Sequence, residues 1–269
     1  MESIILPTKR KISWKVFFVV LALVLVSGIL KAPMIIANEY ADQPDLWINI
    51  ILSVTLSTLI IYGLLGAIGL LLAFRVGLGL PFVEGWAAKN PLEGRFGKIT
   101  MTALVAAAIL TIMGLGVRYL TAPMILAAFE AQNIPISALV EAVQVPWWAM
   151  LLGALSAGIG EEIGFRLGLL TILVWVVGWL WHDDTGRIKP VGFWLANLVV
   201  AVLFGAFHLT NLSAAGLPLI AGLVIRAIFG NGLLALAFGW LYQRYGLESS
   251  MFTHFLLDVF LYVLLPLVV

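Results

Sequence analysis

The sequence predicts an all-α, polytopic transmembrane helix bundle, and three observations predict it. Of 269 residues, 62% are hydrophobic and only 11% charged, whereas a soluble domain is nearer half apolar and about a quarter charged. Apolar runs of about 20 residues, the length that crosses roughly 30 Å of hydrocarbon as a helix, recur from one end to the other. The runs are continuous, not alternating with period two, and are rich in Leu, Ala and Gly, which favours helices over a lipid-embedded barrel. Membrane lipid is therefore the main solvent, and residues 1–269 read as a single integral membrane domain.

Lys9, Arg10, Lys11 and Lys15 precede the apolar stretch 16–30, which ends at Leu30-Lys31-Ala32-Pro33 without a small-residue cleavage pattern. It reads as an uncleaved first span with its basic end in the cytoplasm. Glu39, Asp42 and Asp45 put the next connection outside, and the span 50–74 returns to Arg75, Lys89, Arg95 and Lys98 inside. A third span over 99–120 leads to an acidic outer stretch with Glu130 and Glu141, and Pro146-Trp147-Trp148 supplies an interfacial aromatic entry to the fourth.

Segments 147–181 and 216–242 are each too long for one ordinary crossing and too short for two. A bend is expected in each, near Arg166-Leu167-Gly168 and at Gly230-Asn231-Gly232. With 191–209 and 251–269, seven to nine hydrophobic segments and about eight crossings are expected. A basic N-terminus followed directly by a span, with no recognised eukaryotic address, points to a prokaryotic plasma membrane.

The net charge of +1 offers no electrostatic footprint for nucleic acid. With no cysteine, the chain has no disulfide framework, no cysteine nucleophile and no thiolate metal site.

Most charges sit in connections, so seven polar residues inside four apolar segments stand out: Glu161, Glu162 and Arg166, then His208, Arg226, and His254 with Asp258. Each such group costs about 2.5–3.5 kcal/mol to insert at mid-membrane and so faces partners or a wet cavity. Glu162 and Arg166 are four apart on one helical face, where they can neutralise each other. Glu161 points about 100° away from that face and is left to act as a general base. His254 and Asp258 also share a face, so the carboxyl can orient the imidazole. Glu161, His208 and His254 are the ligand types of a two-His, one-carboxylate zinc site; a metal-free alternative has Glu161 activating water and the imidazoles stabilising an oxyanion. Ser156 lies among small residues suited to close helix packing, and His182 reads as a solvated interfacial residue.

At these positions the sequence resembles the CAAX-prenyl-protease-like membrane family, which includes type II CAAX endopeptidases and bacterial relatives linked to bacteriocin processing and immunity. The family's Glu-Glu-x-x-x-Arg is Glu161-Glu162-Ile163-Gly164-Phe165-Arg166, its Phe-x-x-x-His is Phe204-Gly205-Ala206-Phe207-His208, and its His-x-x-x-Asn/Asp is His254-Phe255-Leu256-Leu257-Asp258. The three motifs occur in order within 147–269, which would carry the catalytic core.

The resemblance implies Glu161 as water-activating base, and His208 and His254 as metal ligands or oxyanion stabilisers. It further implies Asp258 as a polar partner, and Glu162, Arg166 and Phe204 as support. Leu167 stands where the family often has Gly, and Asp258 where the eukaryotic-type enzymes have Asn. The implied activity is intramembrane hydrolysis of a peptide bond in a membrane-associated peptide or lipidated protein, as a protease or metalloprotease. Two other functions use the same residues: a proton-coupled transporter with the ionisable groups as a relay, or a non-catalytic scaffold or immunity protein.

Overall fold

Without water in the hydrocarbon, a spanning segment must close its backbone hydrogen bonds internally, and helices dominate accordingly. The computed structural model describes residues 13–90, 95–137, 145–184 and 188–268. Lys9, Arg10, Lys11 and Glu141 lie outside the described residues. Eight helices follow in order among the described residues: α1 (Trp14–Glu39), α2 (Trp47–Val76), α3 (Pro81–Ala87), α4 (Arg95–Ala131), α5 (147–178), α6 (190–214), α7 (221–245) and α8 (247–268). The described residues form no strand, only an isolated bridge between His182 and Ile188.

Six helices, α1, α2, α4, α6, α7 and α8, are long and apolar enough to cross a membrane, and the chain is an integral membrane protein. Helix α5 has the length as well, but carries Glu161, Glu162 and Arg166. Helix α3 has 7 residues and, at about 1.5 Å per residue, falls far short of a bilayer.

At neither expected position is the helix interrupted. Glu162–Leu170 in α5 and Arg226–Gly230 in α7 are π-helical, and helix continues on both sides of each. A π segment accommodates the excess residues by widening the helix instead of breaking it. Helix is therefore continuous over 147–178 and 221–245, and an eighth crossing made by breaking either is not found among the described residues.

Helix α5 is the hub. It packs against α1, α2 and α8, while α8 also packs on α4 and α7, and α6 on α7. Gly160, Gly164 and Gly168 recur at four-residue spacing along α5 and form its contact with the first two helices. A side chain at Gly164 would come within 2.5 Å of the Tyr62 ring, one at Gly168 within 2.8 Å of Leu65, and one at Gly160 would meet Ser27. Ser27 Oγ donates to the Ser156 carbonyl (3.0 Å) and Ser156 Oγ to that of Ser27 (2.8 Å). Ser156 thus does pack helix on helix, a mode in which small residues let backbones approach closely where lipid offers no hydrophobic drive.

Helices α7 and α8 are joined by Gly246 alone, at φ +95°, a conformation that a side chain would strain. Leu247 N–H donates to Gly79 O (3.1 Å), which fixes the start of α8 against the loop after α2.

Gly69 tests the importance of the close approach. A Cβ there would run into the Leu167 carbonyl and lie 2.9 Å from the Gly168 nitrogen, whereas one at Gly116 would meet nothing within 4 Å. Gly69→Ala should lower stability by about 1–3 kcal/mol through overpacking, and Gly116→Ala should be neutral or stabilise by up to about 1 kcal/mol. Thermal unfolding of the two variants in detergent checks this ranking.

Candidate active site

The π segment of α5 begins at Glu162, and residues four apart in it lie close to one turn apart. Glu162 and Arg166 accordingly face each other, with Nη1 3.1 Å from Oε1 as an ion pair, both side chains fully buried. Arg166 Nη2 donates to Ala235 O on α7 (3.3 Å), and the guanidinium carbon lies 4.5 Å from the Phe204 ring centroid and 5.1 Å from that of Phe238. A cation held between two aromatic faces keeps favourable electrostatics after losing water.

Glu162 has two further partners, both on α8. His254 Nδ1 lies 2.8 Å from Oε1. A carboxylate paired with an Arg can only accept, so Nδ1 carries the hydrogen. Ser250 Oγ is within hydrogen-bond reach of Glu162 Oε2 and of the Phe238 carbonyl (3.0 Å). Both are acceptors, so its one proton serves one of them at a time. The His254 ring stacks on Phe238 at 4.6 Å and 19°, which fixes the imidazole plane.

With Nδ1 committed to Glu162, His254 Nε2 is turned to Asp258 Oδ2 at 3.5 Å. His208, at the end of the first part of α6, has Nδ1 2.8 Å from the Phe204 carbonyl one turn back. That carbonyl too is an acceptor, so Nδ1 carries the hydrogen and Nε2 is the outward nitrogen. The Phe204 ring touches both imidazoles, with centroids 4.7 Å from His208 and 6.0 Å from His254. Phe204 therefore supports Arg166 and both histidines at once.

Glu161 is partly exposed and has no hydrogen-bond partner among the described residues. Its charge is felt by Tyr62, Arg166, His254, Asp258 and Tyr262, so it belongs to the same electrostatic cluster. Of the two adjacent carboxylates, one is saturated and one is free.

Among the described residues no group of three or more His, Asp or Glu is placed to hold a metal ion. His208 leaves Nε2 free of protein partners among the described residues, whereas His254 Nε2 faces Asp258 at 3.5 Å.

Arg226 lies apart from this node, donating from Nε to Thr121 Oγ1 (2.9 Å) and from Nη2 to Arg118 O (3.1 Å). His182 is exposed, with Nδ1 against Gly178 O (3.0 Å). Ser250 and Phe238 were not legible as site residues. The only sequence signal for Ser250 is its place four residues before His254 on the same face of α8.

Residues 143–260 match the family model described as type II CAAX prenyl endopeptidase Rce1-like. This stretch belongs to that family. A chain carrying an Rce1-like endopeptidase domain is a protease, a hydrolase acting on a peptide or protein. The match contains the Glu161-Glu162, Phe204, His208, His254 and Asp258 positions and leaves α1 to α4 outside it. No curated protein and no solved structure matches the chain.

The geometry separates the two carboxylates by what their loss would do. Breaking a buried ion pair by removing one partner costs about 3–5 kcal/mol, so Glu162→Gln should lower the unfolding free energy by that amount. Glu161→Gln should change it by no more than about 0.5 kcal/mol. Denaturant unfolding followed by intrinsic Trp fluorescence measures both, and the opposite ranking would contradict the assignment of roles.

Proposed function

We propose that the chain is an intramembrane endopeptidase in which Glu161 activates a water molecule against the carbonyl carbon of a membrane-associated peptide or protein. The observation that carries this reading is the division of labour at Glu161-Glu162. Glu162 is occupied by Arg166, His254 and Ser250, while Glu161 stands beside them with no hydrogen-bond or ion-pair partner among the described residues. A general base needs a free lone pair within reach of the water it deprotonates.

In the reaction, the water oxygen bonds to the carbonyl carbon as its proton passes to Glu161. The resulting oxyanion is met by His208 and His254 as imidazoliums, in which Nδ1–H stays on the Phe204 carbonyl or on Glu162 and Nε2–H is the donor turned to the oxyanion. The proton on Glu161 then moves to the departing amine as the C–N bond breaks. Preorganised donors of this kind commonly supply the largest share of rate enhancement. Asp258 orients His254 from the Nε2 side, and Glu162, Arg166, Ser250, Phe204 and Phe238 hold the imidazole in place.

Counting α5 with the six apolar helices gives seven crossings. The basic residues Arg75, Lys89 and Lys189 and the acidic residues Glu39, Asp42, Asp45 and Glu130 then fall at opposite ends of the helices. The positive-inside rule places the N-terminus in the cytoplasm. Helices α5 to α8 form the catalytic core, and α1, α2 and α4 complete a single membrane domain around it.

Cleavage of a peptide library reconstituted in liposomes with the purified protein tests the proposal. Wild type should cleave and Glu161→Gln should lose at least about 100-fold of the rate, the lower range for a general base. A strong chelator should leave the wild-type rate unchanged if Glu161 and the imidazoles act without metal. Absence of cleavage by correctly folded wild type would overturn the peptidase reading.

A further inference from the structure

The node on α5 and α8 contains three carboxylates, Glu161, Glu162 and Asp258, but the matched stretch supplies only one permanent cation to it, Arg166. A charge cluster excluded from water is stable only when its charges are offset close by. The remaining cation comes from outside the matched stretch. Arg118 lies within the apolar span of α4, the helix that packs along α8, and is half-buried.

The Arg118 guanidinium carbon is 5.2 Å from the centroid of the Tyr262 ring, and Tyr262 is four residues after Asp258 in α8, where the helix turns π-helical. Residues four apart lie about one turn apart, so the guanidinium on Tyr262 sits on the side of α8 that carries Asp258, although no contact ion pair joins the two. The same turn of α4 is tied down from α7, because Arg226 donates to the Arg118 carbonyl (3.1 Å) and to Thr121 Oγ1 (2.9 Å).

We propose that Arg118 is a positioning residue of the active site, contributed by the first half of the chain: seated on Tyr262, it offsets Asp258 and so keeps that carboxylate directed at His254 Nε2. The role rests on the peptidase reading for its effect on rate, but not for the Arg118–Asp258 interaction itself. The interaction makes Asp258 and Arg118 a unit, so the loss of one should cancel the need for the other. An arginine that merely reaches for lipid headgroups has no such dependence.

A double-mutant cycle on the full chain in liposomes tests this, read in both kcat and Tm. Arg118→Gln should lower kcat about tenfold, the size typical of residues that orient an active-site group, with KM little changed. Arg118→Lys should keep most of the rate. In an Asp258→Asn background, the further effect of Arg118→Gln on kcat should fall below about twofold, and its Tm shift should vanish, since coupled residues are non-additive.

Equal Arg118→Gln losses in both backgrounds, in rate and in Tm, would overturn the proposal. If wild type cleaves nothing, the peptidase reading falls and the positioning role with it. The Tm cycle still decides whether the Arg118–Asp258 unit exists.

Discussion

The buried carboxylate of Glu162 is the interaction on which the site depends. It binds Arg166 of its own helix and, from α8, both His254 and Ser250. The two helices that carry the chemistry are thereby joined by charged groups in a place where an unpaired charge is expensive. Two of these partners are fixed a second time, Arg166 by Phe204, Phe238 and the Ala235 carbonyl and His254 by its stack on Phe238, while the Ser250 hydroxyl shares its one proton between Glu162 and the Phe238 carbonyl. Phe238 on α7 and Phe204 on α6 bring the other two helices into the same node. A single ion therefore sets the orientation of an imidazole and the register of four helices.

That node requires α5 to lie close to its neighbours, and the sequence provides for it with small residues. Gly160, Gly164 and Gly168 admit Ser27, Tyr62 and Leu65, while the other side of the helix presents Glu162 and Arg166. The π segment allows both to coexist. It begins at the paired carboxylate and widens the helix through the stretch in which glycine contacts and ion pair alternate. Irregular helix of this kind is tolerated at membrane depth where it is enclosed by protein, and Ile163, Phe165 and Leu167 in this stretch are all buried.

Much of this was legible in the sequence, because the signals were local. Apolar runs separated by charged connections gave the helices, and the spacing of four between Glu162 and Arg166, and between His254 and Asp258, gave two real contacts. The continuity of α5 and α7 was not legible: a glycine pair such as Gly230 and Gly232 reads as a break. The π geometry that replaces the break depends on neighbours, such as the Ile228 backbone against Gly205. The contacts of Ser250 and Phe238 cross between helices and leave no periodic trace. His208 and His254 both lie against the Phe204 ring, a shared neighbour that leaves no trace in the spacing of either.

The claim at the centre is that Glu162, and not Glu161, holds His254. Solid-state nitrogen NMR of histidine-labelled protein in bilayers reads it directly, since the chain has only 3 histidines and single His→Asn variants assign them. A protonated, hydrogen-bonded Nδ1 is expected on His254, with a resonance that shifts strongly in Glu162→Gln and far less in Glu161→Gln. A His254 signal that responds to Glu161→Gln and ignores Glu162→Gln would contradict that claim.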